Sequence, residues 1–242
     1  MNHQLVVMKT AAEVASLTAR TIVDLLNDSA GGGRSSVAFS GGSTPVAMFE
    51  ALAGFPLDER KAASTSEPYL DWSRVDVFQV DERVAPQDDA ARNLTSLEAE
   101  LLAPRVPPQN VHSIPVEMGP EAAATAYDAT LKSLLGAEPS IGVVHLGLGS
   151  DGHCASLVPG DPVLQVRDRD VASTLDYQGH RRVTLTYPAL ERASAIVWQV
   201  TGESKASALA KLLAGDPTIP AGTLRAQRSI VIADEPAARL LV

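Results

Sequence analysis

Apolar positions along the chain follow two alternating patterns. The runs "QLVVMK" (4–9), "SSVAFS" (35–40), "RVDVFQV" (74–80), "IGVVHLGL" (141–148), "RVTLTY" (182–187), "SAIVWQV" (194–200) and "SIVIA" (229–233) predict strands. Several are continuously apolar and β-branched, as strands covered on both faces are. Between them the spacing turns helical. In 11–33, Val14, Leu17, Thr21, Ile22 and Leu25 share a face and glycines close the segment. "TPVAMFEALAG" (44–54) predicts a helix with Pro45 in its first position. "ARNLTSLEAELLA" (91–103) predicts another, with Leu94, Leu97 and Leu101 in register; 121–135, 203–215 and 235–241 complete the set. Segment 54–72 is polar and lacks either period, so it reads as a loop. This alternation predicts an α/β fold, a three-layer α/β/α sandwich around a mostly parallel, Rossmann-like sheet. No repeat, low-complexity tract or linker interrupts it, so residues 1–242 are expected to form a single domain.

Composition narrows the function classes. At 242 residues and 45% apolar content the chain can bury a sizeable core. A formal net charge of −9 argues against a general nucleic-acid surface, and an anionic ligand would need local cations. No apolar run approaches the about 18 residues of a membrane helix. The N-terminal "MNHQLVVMKT" lacks a basic flank and a small-residue cleavage site, so it reads as a strand rather than a signal peptide. The single cysteine, Cys154, precludes an internal disulfide and fits a reducing, cytoplasmic compartment.

Four unusual segments follow predicted strands: "SGGSTP" after Phe39, "DERVAP" after Val80, "GSDGH" after Leu148 and "TGESK" after Val200. In a parallel sheet all four lie at the carboxyl edge, where open α/β sheets bind ligands. Ser40, Gly41, Gly42, Ser43 and Thr44 form a strand-to-helix turn. Its glycines allow close backbone approach, Ser43 or Thr44 can cap the helix, and free N–H groups favour an anion. It is neither a Walker A loop nor a G-x-G-x-x-G fingerprint. Lys205 in the first turn of its helix opposes the helix dipole, a conflict an anionic ligand would remove; alone it reads as a solvated lysine. Arg83 could take a phosphate and Asp81 could accept from hydroxyls, although a structural ion pair explains the same residues. A second "DER", Asp58 to Arg60, follows no strand and reads as surface. His153 is the one histidine in a glycine-rich loop at the sheet edge and a candidate general base, with Asp151 placed to steer its ring. Gly149 and Gly152 leave room for a substrate and free N–H groups. His145, inside an apolar strand, reads as a satisfied core residue. "LGSDG" departs from the nucleophile elbow because Leu148 replaces the first glycine. No cluster has metal-ligand spacing, and Cys154 reads as packing.

Taken together, "FSGGSTP", Asp71-Trp72, "VDERVAP", "LGLGSDGHCASLVPG", "RVTLTYPAL" and "VTGESKASAL" resemble, in order, the motifs of the 6-phosphogluconolactonases. The resemblance implies opening of 6-phospho-D-glucono-1,5-lactone to 6-phosphogluconate, a small sugar-phosphate substrate, and no metal or organic cofactor. It leaves the oligomeric state open, a monomer being compatible. His153 and Asp151 correspond to catalytic positions. Ser40, Gly41, Gly42, Ser43, Thr44, Asp81, Arg83, Arg182 and Lys205 correspond to substrate-binding ones. A related deaminase group carries "DEY" and "GHIAFNEPG" where this chain has Asp81-Glu82-Arg83 and "GHCASLVPG". Three departures from the lactonase pattern read as conservative or peripheral: Cys154 for Thr, Arg92-Asn93 for Ser-Asn, and Val158 for Phe. The alternatives are an amino-sugar-phosphate deaminase and a non-catalytic sugar-phosphate sensor.

Overall fold

Most of the apolar runs become strands because both of their faces are covered; the first, at the sheet edge, leaves Leu5 and Val7 exposed. In the computed structural model, which describes residues 3–30, 33–56, 59–65 and 67–241, successive residues of a strand enter opposite cores. On β6 (Val143–Gly147) Val143 packs on one side while Val144 and Leu146 pack on the other. On β9 (Ala195–Val200) Ala195 and Val197 alternate with Ile196, Trp198 and Val200. One core lies under α1 (Ala11–Ala30) and α2 (Val46–Gly54), the other under α6 (Pro120–Leu135) and α8 (Ala206–Ala214). These are the three layers the alternation predicts.

The main sheet has seven strands in the order β1-β10-β9-β6-β2-β3-β5, and every pair is parallel. Its other members are β1 (His3–Met8), β2 (Ser35–Phe39), β3 (Val75–Gln79), β5 (Val111–His112) and β10 (Ser229–Asp234). The chain leaves β2 toward β3 and β5, then returns to β2's other side as β6. The β2/β6 boundary is therefore a topological switch point, where a crevice opens beyond the carboxyl ends of the strands.

Five expectations change. Residues 81–83 are not a loop but a short strand, β4 (Asp81–Arg83), and "RVTLTY" does not join the parallel sheet. Its strand β8 (Arg182–Leu185) runs antiparallel between β4 and β7 (Val171–Ser173) in a separate three-stranded sheet. Residues 91–103 are not one regular helix: α4 (Asn93–Leu97) widens into a π turn over 98–102 before α5 (Ala103–Arg105). The polar segment 54–72 contains a helix, α3 (Glu59–Thr65), which among its described side chains buries Ala62 alone and so carries no apolar stripe to read. In α2, Pro45 sits at the N-cap, and neither Ser43 nor Thr44 caps by its side chain. Two short helices, α7 (Tyr187–Glu191) and α9 (Pro220–Thr223), carry no sequence signal, while α10 (Glu235–Ala238) falls within the predicted last helix. Of the surface "DER", Glu59 and Arg60 are exposed on α3 and Asp58 lies outside the described residues. No described helix is long and apolar enough to cross a membrane.

Candidate active site

A cleft of about 330 Å³ opens at the β2/β6 switch point. Three of the four segments reach it from the parallel sheet. The fourth reaches it through β4, whose period of two sends Asp81 and Arg83 to the cleft and Glu82 into the core, where it is fully buried. Glu82 accepts hydrogen bonds from the N–H groups of Arg83 (2.8 Å), Asn93 (2.7 Å) and Leu94 (2.9 Å) and from Gln79 Nε2 (2.9 Å). It thereby caps α4 from a neighbouring strand.

The turn after β2 is built for close approach. A Cβ on Gly41 would fall 2.2 Å from Asn93 Cγ, so glycine alone fits there. Asn93 in turn donates Nδ2 to Asp81 O (2.9 Å) and to its Oδ1 (3.3 Å). Among the described residues, the N–H groups of Gly41 to Thr44 meet no protein acceptor. From behind, His145 Nε2 contacts Gln199 Oε1 at 3.1 Å, and Gln199 Nε2 donates to Thr44 O at 3.1 Å. His145 is thus buried in its strand, as expected, yet it also lines the cleft. Burial pushes it down to about 4, so it is neutral at physiological pH.

In the loop after β6, His153 Nδ1 lies 2.6 Å from Asp151 Oδ1. A carboxylate on Nδ1 selects the tautomer with its proton there and leaves Nε2 as the free base. Burial would raise the Asp151 carboxyl, but the His153 charge and hydrogen bonds from His153 and Tyr177 hold it below the usual range. A Cβ on Gly149 would sit 2.1 Å from His153 Nδ1, so this loop also requires its glycine. The expected free N–H groups are not here, however. Gly149 N donates to His153 O (2.8 Å) and Gly152 N to Gly149 O (3.0 Å), because the loop closes on itself.

Three cations line the cleft. Arg83 and Arg182 are directly opposite on β4 and β8, an arrangement of like charges that costs stability without an anion between them. Arg83 donates Nη1 to Ala91 O (2.7 Å). Arg182 is buried, its Nε has no partner, and burial lowers its pKa against the pull of Asp81. Lys205 ends a 3₁₀ turn (Glu203–Lys205) and is the N-cap of α8, half-buried. Asp81 is buried, takes the Ser156 hydroxyl at 2.6 Å, and is pushed up by burial. Cys154 is buried and its thiol is pushed far up, also by burial, which removes it as a nucleophile.

A sequence model of the family described as Glucosamine-6-phosphate isomerases/6-phosphogluconolactonase matches residues 9–232. The chain belongs to this family. A 6-phosphogluconolactonase of Nostoc sp. is 35% identical over 188 residues, covering 75% of this chain and 72% of that protein. One of Streptomyces coelicolor is 34% identical over 246 residues, covering 95% and 90%. The solved structure of 6-phosphogluconolactonase from Trypanosoma cruzi superposes with a TM-score of 0.84 at 25% identity, over 100% of this chain and 97% of that one.

The cleft of this family member holds every expected binding residue, Ser40 to Thr44, Asp81, Arg83, Arg182 and Lys205, together with His153. Asp151 joins them through His153. Sequence reasoning missed four residues here. Asn93, which matches the family pattern beside the departure at Arg92 and drew no role, ties Asp81 to the Gly41 turn; its position one turn before Leu97 gave no sign of this. Gln199 hides in an apolar strand. Tyr177 and Gln178 stand in a polar stretch without period. Tyr177 donates its hydroxyl to Asp151 Oδ2 at 3.1 Å, and Gln178 lines the cleft.

Proposed function

We propose that residues 1–242 act as one lactonase domain that hydrolyses 6-phospho-D-glucono-1,5-lactone to 6-phospho-D-gluconate, a step of the oxidative pentose phosphate pathway. The observation that carries this reading is the juxtaposition in one cleft of an Asp-held imidazole with three cations, in a protein of net charge −9. Arg83, Arg182 and Lys205, with the unengaged N–H groups of Gly41 to Thr44, hold the phosphate. Asp81, held by Ser156 and Asn93, accepts from a sugar hydroxyl. His153 Nε2 takes a proton from water as the oxygen attacks the lactone carbonyl. The tetrahedral intermediate then collapses, breaking the bond to the ring oxygen, and the imidazolium returns the proton to that oxygen. Asp151 fixes the tautomer and steadies the imidazolium. Because Gly149 and Gly152 amides are committed within their loop, we assign oxyanion stabilisation to donors outside it. The single buried cysteine fits a cytoplasmic setting.

The test is opening of freshly generated lactone, with the spontaneous rate subtracted, by wild type and His153→Ala. The variant should lose about 10²–10⁴-fold in kcat while binding 6-phosphogluconate as before. Wild-type turnover in His153→Ala would remove the general-base role. No acceleration by wild type, with ammonia released from glucosamine-6-phosphate, would move the protein to the deaminase branch.

A further inference from the structure

The Asp151–His153 pair has a third member that the reaction above does not use. Tyr177 donates its hydroxyl to Asp151 Oδ2, the oxygen not held by His153. Its ring meets the imidazole edge-on, with centroids 5.5 Å apart and planes at 68°. The Arg182 guanidinium lies 5.0 Å from the centre of the same ring, and Arg182 Nη2 reaches Tyr177 O at 3.4 Å. One tyrosine therefore touches the base, the carboxylate that orients it and a cation of the phosphate site.

The chain takes trouble to put it there. Beyond β7 and before β8, Tyr177 and His180 exchange backbone hydrogen bonds (3.0 and 3.4 Å) around a two-residue tip. Gln178 has φ 55° and Gly179 has φ 83°. Two positive φ values make the tight turn whose twist matches paired strands. Gly179 adopts it freely, whereas Gln178 does so at a cost that local structure must offset. Gln178 Nε2 donates to the Tyr177 hydroxyl at 3.2 Å, so the strained residue also braces the phenol.

We propose that Tyr177 is a positioning residue for the catalytic pair, carried over the cleft by the tip between β7 and β8. The proposal rests on the assignment of His153 as general base. A carboxylate bound by one oxygen still swings about its broad terminal torsion, and Asp151 is exposed on a loop. The Tyr177 hydroxyl pins the second oxygen. That fixes the carboxylate plane, the imidazole plane and the direction of Nε2. Orientation of this kind acts on kcat rather than on substrate affinity.

The experiment is lactone opening by Tyr177→Phe in the wild-type and Asp151→Ala backgrounds, with His153→Ala measured alongside. Tyr177→Phe keeps the ring and should lower kcat about tenfold, with KM within about twofold; thermal stability should be unchanged. In the Asp151→Ala background the same change should have no further effect, because the residue it acts through is gone. Tyr177→Ala should in addition raise KM, as Arg182 loses its ring. Wild-type kcat in Tyr177→Phe, with His153→Ala inactive, would overturn this proposal and leave the lactonase mechanism standing. So would an equal loss in both backgrounds. Full activity of His153→Ala would overturn both.

Discussion

Asp81 shows how the cleft trades stability for chemistry. It is buried, it shares its face of β4 with Arg83 and has Arg182 on the neighbouring β8, and burial raises its pKa even so. A carboxyl raised by folding binds its proton more tightly in the folded state. It therefore supports stability at low pH and loses that support as pH rises through its folded pKa. Asp81→Asn removes the charge and keeps an acceptor for the Ser156 hydroxyl. The expected outcome is a higher Tm at neutral pH, an advantage that vanishes as pH falls into the ordinary carboxylate range. Activity should drop by about tenfold or more, since a neutral amide is a weaker acceptor for a sugar hydroxyl. Thermal melts from acid to neutral pH check the first part; an unchanged or lower Tm at neutral pH would show that the arginines stabilise the ionised form more than burial opposes it.

At the scale of the element, β4 decides how the site is assembled. Its three residues split by strand alternation, two into the cleft and Glu82 into the core. Arg92 Nε lies 3.2 Å from Glu82 Oε2, and Arg92 Nη1 donates to Glu117 at 2.8 Å. Both Arg92 and Glu82 are nearly solvent-free. Glu82→Ala would orphan the N–H groups of Asn93 and Leu94 and leave Arg92 with Glu117 as its one carboxylate partner among the described residues, beside the Ala85 carbonyl. The expected loss is about 3–5 kcal/mol, read by urea unfolding, with a rise in KM as Asp81 and Arg83 lose their register. A loss below about 1 kcal/mol would mean that water replaces Glu82. Two-residue β5 aside, the parallel strands were legible in the sequence because they are apolar runs, most of them covered on both faces. β4 was not, because three charged residues show no such pattern and pair only with a strand about a hundred residues later. The same physics explains the site. Glycine-rich turns and lone charges after strands announce themselves, and so His153, Lys205 and Ser40 to Thr44 were readable. Tyr177 meets Asp151 across 26 positions of chain, through a hairpin whose only signal is Gln178-Gly179. Arg92, read as a peripheral departure, is the counterion of a buried acid.

At the scale of the whole molecule, charge is arranged against its own average. The protein carries net −9, yet Arg83, Arg182 and Lys205 converge on one cleft. Two opposed effects then act on a phosphorylated substrate. A cation at ~4 Å attracts a unit negative charge by about 1 kcal/mol in water and by more where water is partly excluded, whereas a surplus acid ~20 Å away repels it by about 0.2 kcal/mol. The near cations win, so binding should weaken when both are screened. Raising ionic strength from about 0.02 M to about 0.5 M shortens the Debye length from ~20 Å to ~4 Å. KM should rise several-fold over that range with kcat nearly constant, because the charges hold the phosphate in ground and transition states alike. Lys205→Met should raise KM at low salt and flatten its dependence on salt. Lys132→Met, which removes an exposed lysine paired with Asp128 on the surface of α6, should do neither. A KM indifferent to salt, or one that moves equally in the Lys132 variant, would show that the cleft binds its substrate through the neutral donors of the Gly41 turn rather than through its cations.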